Sequence, residues 1–271
     1  MTSFDQSKFY SDEEASSCYA KYRPTYTDQL FKLVIDFCGQ TGDGTWDLAV
    51  DVGCGSGQST LPLASNFKQV IGVDACEQQI SKAPQQTRNV SFRCGASEDL
   101  NFVTSGSVDL VTVATAFHWL NQDRFFQEAD RILKPGGSLV LYSTGDHFMD
   151  HLEGNRYLEH INIAGHIMRY HPASRIVKNK YRNVFLPYQD TMRGELEPLG
   201  VPMSMAQFEG YIQSLGCEHW FQPYRTGHDL PGEMARTNEK LQVVIVVMQE
   251  EMEREKGGIN GSVVKLSDSY P

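Results

Sequence analysis

LAVDVGCGSGQST, residues 48–60, is the stretch on which the reading of this chain turns. Leu48, Ala49, Val50 and Val52 make a short apolar run, which suits a strand of a parallel sheet covered on both faces. Gly53, Gly55 and Gly57 follow at alternate positions. They let the backbone turn sharply and approach a ligand more closely than any side chain would allow. Residues 59–67 are predicted to be helical, and the first turn of such a helix offers unpaired N–H groups to polar or anionic ligand atoms. Pro62 is compatible with it only inside that first turn. A nicotinamide-binding turn requires a glycine three residues after the second one, and Gln58 stands there instead.

The flanking sequence repeats the alternation of strand and helix. Upstream, Thr27 opens a helix with Leu30, Phe31, Val34, Ile35 and Phe37 on one side, and Gly39 is a stop. Downstream, Val70 to Val73 reads as a second buried strand ending at Asp74. An acidic residue about 20 positions past a glycine turn, at a strand's C-terminal end, can accept hydrogen bonds from both hydroxyls of a ribose. A helix cap or a solvated loop residue is the plainer alternative. Val90 to Cys94 is a third strand, and Val108 to Thr115 a fourth, followed directly by AFHW. Asn121 or Asp123 caps a helix whose Phe125, Phe126, Ala129, Ile132 and Leu133 share one face. KPGG, residues 134–137, ends it, and SLVLYS, 138–143, is the fifth strand. Five such alternations predict an α/β fold with a doubly wound, mostly parallel sheet.

With Asp51 two residues ahead of the first glycine, the turn resembles the first motif of the class I S-adenosylmethionine (SAM)-dependent methyltransferases. Four further segments strengthen the resemblance, which covers roughly residues 19–145. YAKYRPTY, 19–26, and the His-Trp step at 118–119 look like the branch related to trans-aconitate methyltransferase. GASEDLNF, 95–102, is similar to the family's adenine-side segment, with Ala96 where the family carries an acidic residue. Helix, Lys-Pro-Gly-Gly and strand is the family's late motif. The resemblance implies a Rossmann-like fold, SAM as cofactor, and a cofactor site made from Tyr22, Arg23, Asp51, Gly53, Gly55, Gly57, Asp74, Ala75, Ser97, Glu98 and Thr115. It also places His118 and Trp119 at the reacting end. His118 is then a general base, or a donor that orients a carboxylate; a histidine packed for structure alone is the other reading. Trp119 is pocket wall.

The remaining sequence organises around that core. Residues 1–26 form an N-terminal arm, 27–145 the core, 146–203 a helical cap inserted after the fifth strand, and 204–271 a C-terminal region. Tyr157, Ile161, Ala164 and Met168 share a helix face in the cap. Met203 to Leu215 is predicted as a helix with Ser204 as N-cap and Gly216 as stop, and Met234 to Lys256 as a long charged helix. LQVVIVVM within it also suits a buried strand, because β-branched residues dominate it; its helix-forming flanks favour the helix. SVVKLSDSYP, 262–271, starts like a strand and is expected to stop short of the apolar half that the resemblance leads one to expect.

Composition narrows the function classes. The 271 residues fit one large domain or a domain with a cap, and a net charge of −10 argues against a nucleic-acid backbone as partner. No stretch has the length and apolarity of a membrane span, and the N-terminus lacks the pattern of a signal or transit peptide. The six scattered cysteines suit a reduced, cytoplasmic protein. His147, His151, His160, His166 and His171 cluster in the cap without completing a familiar metal-ligand set, so no metal is expected. Arg169, Arg175, Lys178, Lys180 and Arg182 form a solvated face or a grip for an acidic small substrate. The expected function is methyl transfer from SAM to a small molecule, a carboxylic acid by resemblance. The rivals are a protein methyltransferase of the same fold and a silent SAM-binding module.

Overall fold

The structure is a computed structural model and describes residues 13–23, 25–41, 43–85, 87–144, 172–188, 190–204, 207, 210–211, 214, 235–247 and 264–265. Helices α1 (Glu13–Tyr22) and α2 (Asp28–Thr41) precede β1 (Leu48–Val52). Then come β2 (Gln69–Asp74), α3 (Glu77–Lys82), β3 (Val90–Cys94), β4 (Val108–Ala114), α4 (Gln122–Ile132) and β5 (Leu133–Thr144). Beyond the fifth strand lie α5 (Pro172–Lys178), β6 (Asp190–Met203), β7 (Ala235–Val247) and the two-residue β8 (Val264–Lys265). The sheet runs β3-β2-β1-β4-β5-β7-β6-β8, with β1 to β5 parallel and β6 to β8 antiparallel to their neighbours. The doubly wound α/β expectation holds.

Period-two alternation distributes the core over the two faces of this sheet. Val111, Val113, Leu139 and Leu141 pack with Phe125, Ala129 and Ile132 of α4. Their neighbours Leu110, Val140 and Tyr142 pack instead with Leu30, Val34 and Phe37 of α2. Thr27 caps α2, its Oγ1 accepting from the Leu30 amide at 3.2 Å, and Asn121 caps α4 by accepting from the Arg124 amide at 3.3 Å. At the N-terminal ends of the strands, Asp109 Oδ2 accepts from the Asp47 and Leu48 amides at 2.8 and 2.9 Å. Lys134 closes on the other oxygen of Asp109 at 2.6 Å, so one ionic knot aligns β1, β4 and β5. That leaves the opposite, C-terminal edge open for ligands.

Several boundaries differ from the sequence reading. α2 runs past Gly39 to Thr41, because the glycine sits within a turn already held by the buried face. The helix expected over 59–67 is a 3₁₀ turn confined to Leu61–Ser65, with Pro62 in its first positions. α4 ends at Ile132, and β5 begins at Leu133 with the KPGG segment forming an irregularity in its pairing with β4.

The larger corrections concern the sheet's far side. The long helix expected over Met234 to Lys256 is strand β7 from Ala235 to Val247. It pairs with β5 on one side, Leu139 opposite Val246 and Leu141 opposite Val244, and with β6 on the other. A strand flanked on both sides satisfies the backbone groups of β5 that a helix would leave as a bare edge. Residues 190–203, assigned to the helical cap, form β6, whose Glu197 and Pro198 fall in a bulge where proline costs no ladder bond. Of the cap itself α5 is helical; Tyr157, Ile161, Ala164 and Met168 lie outside the described residues. Gln207, Gly210, Tyr211 and Ser214 are helical, and Ser204 and Gln207 bond reciprocally in a capping box, as the Ser204 cap requires. In the 262–271 segment only Val264 and Lys265 are described, paired with Glu195 and Gly194.

Candidate functional site

β1 has β2 on one side and β4 on the other, and the chain leaves in opposite directions from these two neighbours. Such a switch point opens a crevice at the C-terminal ends of the strands. Gly53 stands there with φ +69°, its amide donating to Val73 O at 2.8 Å. A Cβ at Gly53 would come within 2.4 Å of the Ala116 Cβ, so the backbone after β1 packs directly against the Ala116 methyl that follows β4. Gly57, with φ +96°, has a different reason: a Cβ there would strike the Phe92 ring at 2.8 Å. It closes the turn onto β3.

The cleft beside Gly53 and Gly55 encloses about 650 Å³ of space, open to solvent, with Asp74, Ala75 and Ser97 in its wall. Asp74 ends β2, its Oδ2 accepting from the Gly55 amide at 2.9 Å and its Oδ1 from the Cys76 amide at 2.8 Å. Burial pushes its carboxyl pKa up against the pull of those two amides. Asp51 is fully buried behind the wall and accepts from Ser59 Oγ at 2.5 Å, Thr60 Oγ1 at 2.6 Å and Thr112 Oγ1 at 2.8 Å. It ties the residues after the glycine turn to β4 and does not face the cleft. Glu98 accepts from the Asn121 amide at 2.9 Å and so joins the loops after β3 and β4.

The arm braces this wall from outside. Tyr19, in the arm's motif but not among the expected contacts, lines the cleft over Gly55. The Arg23 guanidinium stacks on Tyr19 at 4.9 Å and lies 5.6 Å from the Tyr211 ring, while the Tyr22 ring fills the space a Cβ at Gly210 would need. Tyr26 bonds Thr115 Oγ1 at 2.9 Å and meets Tyr142 edge-on at 5.0 Å. Thr115 itself is left-handed at φ +52°, the kink by which the chain leaves β4. Tyr22, Arg23 and Thr115 thus stand behind the lining residues rather than among them.

Phe117–Trp119 form a single 3₁₀ turn between Ala116 and Leu120, both of which line the cleft. His118 is only 7% exposed, and its Nδ1 lies 2.9 Å from the Tyr181 hydroxyl. Tyr181 follows α5, is buried, and is held with φ +57° against Phe117. Burial pushes its phenol pKa far up, so the hydroxyl keeps its proton. The half-buried Trp119 ring lies 5.1 Å from the imidazole. Tyr181 and Gln79 are the residues that sequence reading missed. Tyr181 carries no spacing signal, and Gln79, five positions after Asp74, reads in sequence as an ordinary polar helix residue.

Among the described residues, no group of three or more His, Cys, Asp or Glu could hold a metal ion. His147, His151, His160, His166, His171 and Arg169 lie outside them. No helix among the described residues is long and apolar enough to cross a membrane.

Residues 50–141 match the methyltransferase domain family. A Dictyostelium discoideum protein assigned as a methyltransferase is 35% identical over 219 residues, 79% of this chain and 78% of that protein. A Saccharomyces cerevisiae protein assigned as an S-adenosylmethionine-dependent methyltransferase is 33% identical over 133 residues, 47% of this chain and 44% of the relative. Among solved structures, a protein assigned as a type II methyltransferase from Anaeromyxobacter dehalogenans superposes with a TM-score of 0.63 at 25% identity, over 85% of this chain and 100% of its own. With a glycine turn at the switch point, an acidic strand end beside it and relatives of this kind along most of its length, the chain belongs to the class I S-adenosylmethionine-dependent methyltransferases.

Proposed function

We propose that the chain transfers a methyl group from SAM to a small-molecule acceptor, a carboxylic acid in the manner of the trans-aconitate branch. The observation that carries this reading is the burial of His118: on the turn expected at the reacting end, it bonds Tyr181 and is only 7% exposed, which suits a small acceptor better than a polymer strand. The acidic chain, at −10, also disfavours RNA. Arg175 on α5 and Lys180 and Arg182 just after it belong to a segment that packs beside residues 117–119, and such side chains suit an acidic acceptor. Cytoplasmic action is part of the proposal, supported by buried thiols at Cys38, Cys54 and Cys76 that form no disulfide.

The residues present fit the cofactor. The cradle at Gly53 and Gly55 admits close approach, and the buried Asp74 carboxylate faces the cleft at the place where a ribose diol needs an acceptor. Bound SAM supplies a methyl group already activated on a sulfonium, so the protein's part is placement and exclusion of water. Asp74 and Ser97 hold the nucleoside, the Ala116–Leu120 turn walls the reacting end, and His118 orients the acceptor or takes its proton. Aromatic rings around that turn suit a cation that loses its charge as it reacts.

Asp74→Ala is expected to weaken binding of S-adenosylhomocysteine by roughly 1.5–3 kcal/mol in calorimetry, because charge-assisted hydrogen bonds are lost. Unchanged affinity would leave Asp74 as a brace for the Gly55 and Cys76 amides only. For the acceptor, cell extracts incubated with the enzyme and methyl-labelled SAM should yield a labelled metabolite. Label found in protein alone would move the reading to a protein methyltransferase, and cofactor binding without any labelled product to a silent module.

A further inference from the structure

The wall of the cleft contains a polar group with nothing to bond. Gln79 sits in α3 with 2% exposure, and neither its Nε2 nor its Oε1 has a hydrogen-bond partner. A buried amide left unsatisfied at both ends is costly, and such groups are rare in folded proteins. Gln79 is also in the right place to be of use. It lines the same cleft as Gly55 and Asp74, and its Oε1 lies 3.8 Å from the point a Gly55 Cβ would occupy.

We propose that Gln79 is a cofactor-recognition residue, whose carboxamide completes the hydrogen bonding of the ribose hydroxyls held by Asp74. This rests on the cofactor reading given above. A carboxylate can only accept, so hydroxyls bound to Asp74 spend their protons on it and keep lone pairs in need of a donor. The amide of Gln79 supplies N–H donors and an acceptor together, which a second carboxylate or an apolar side chain cannot. Tyr19, half-buried on α1, stands over Gly55 as well, its ring 3.5 Å from the point a Gly55 Cβ would occupy. In the unliganded protein the Gln79 amide is unsatisfied; the ligand then satisfies it.

The two halves of this idea predict opposite signs for one substitution. Gln79→Met keeps the length of the side chain and removes both unsatisfied atoms. The unliganded variant is expected to melt about 2–4 °C higher than wild type, since a buried polar penalty of roughly 1 kcal/mol is relieved. Its affinity for S-adenosylhomocysteine, by calorimetry on the full chain, is expected to fall about tenfold or more. Against the 2′-deoxy or the 3′-deoxy analogue that penalty should vanish, because the hydroxyl the amide reads is gone. Gln79→Leu provides a second apolar variant should the first fold poorly. A lower unliganded melting temperature would reveal an internal partner for the amide, and unchanged affinity would remove its role in binding; either overturns the proposal. A penalty that persists against both analogues overturns the ribose assignment. Failure of the wild type to bind S-adenosylhomocysteine sinks the cofactor reading and this proposal with it, whereas binding by the wild type and equal binding by Gln79→Met sinks this proposal alone.

Discussion

Asp51→Ala is expected to lower the melting temperature by about 10 °C or more, the largest stability loss of any single change near the cleft. The carboxylate is fully buried and accepts three hydroxyl hydrogen bonds, from Ser59, Thr60 and Thr112. Removing it leaves three hydroxyls in a dry interior and a cavity, a cost of about 3–5 kcal/mol. Because Ser59 and Thr60 follow the glycine turn directly, the same change should loosen the cradle and weaken cofactor binding. The pH dependence adds a signed check. Burial raises the Asp51 pKa above the usual carboxylate range, the hydroxyl bonds opposing it only in part. The folded state then holds the proton more tightly than the unfolded chain, so this group's contribution to stability falls as pH rises from the ordinary carboxylate pKa toward the raised one. Asp51→Asn cannot ionise and retains an acceptor. It should cost less than alanine, and stability measured against pH should lose that downward component. An Asp51→Ala protein that melts close to wild type would show that the three hydroxyls find other partners.

The parts of the site that were legible in the sequence are those where the backbone imposes the residue. Gly53 must be glycine because its turn meets Ala116 with a positive φ, and that requirement survives in any sequence with this crossing. Asp74 was legible for a related reason: strand length and helix length fix its distance from the turn. Residues placed by tertiary packing were not. Tyr181 reaches His118 across 63 positions of sequence, with no periodicity to announce it. Ala235 to Val247 shows how a local preference loses. Its glutamate and lysine flanks favour helix, and its valines and isoleucine favour strand, so sequence alone leaves the balance close. The open edge of β5 decides it, by offering a row of backbone partners from Ser138 to Thr144. Asp51 was legible as a motif residue but not as a buried brace, because its three partners belong to two separate segments. Gln79 was silent for the opposite reason: its distinguishing feature is the absence of a partner, which only three dimensions reveal.

His118→Ala is expected to lower turnover by about 10²-fold or more while affinity for S-adenosylhomocysteine stays near that of the wild type. The imidazole is carried on the turn between two cleft-lining residues, Ala116 and Leu120, and the proposed function puts that turn at the reacting end. A variant that instead melts far lower, with turnover lost in proportion to folded protein, would mark His118 as packing alone. Tyr181 sharpens the test, because it is placed to act through the histidine. Its hydroxyl stays protonated and lies 2.9 Å from Nδ1, so it fixes the ring's orientation and biases which nitrogen carries the proton. Tyr181→Phe keeps the ring contacts with Phe117 and removes the hydroxyl, with its bond to the imidazole and its interaction with Ser143. It should slow turnover less than His118→Ala does. In the double variant its effect should disappear, since a hydroxyl that works only through the imidazole has nothing left to position. The pH–rate profile of the wild type then separates the two chemical roles. A rate that climbs to a plateau with rising pH assigns His118 as the base for a hydroxyl acceptor, and a rate that loses nothing at low pH assigns it as the donor that holds a carboxylate. Equal slowing by Tyr181→Phe with and without His118 would break the link between the two residues.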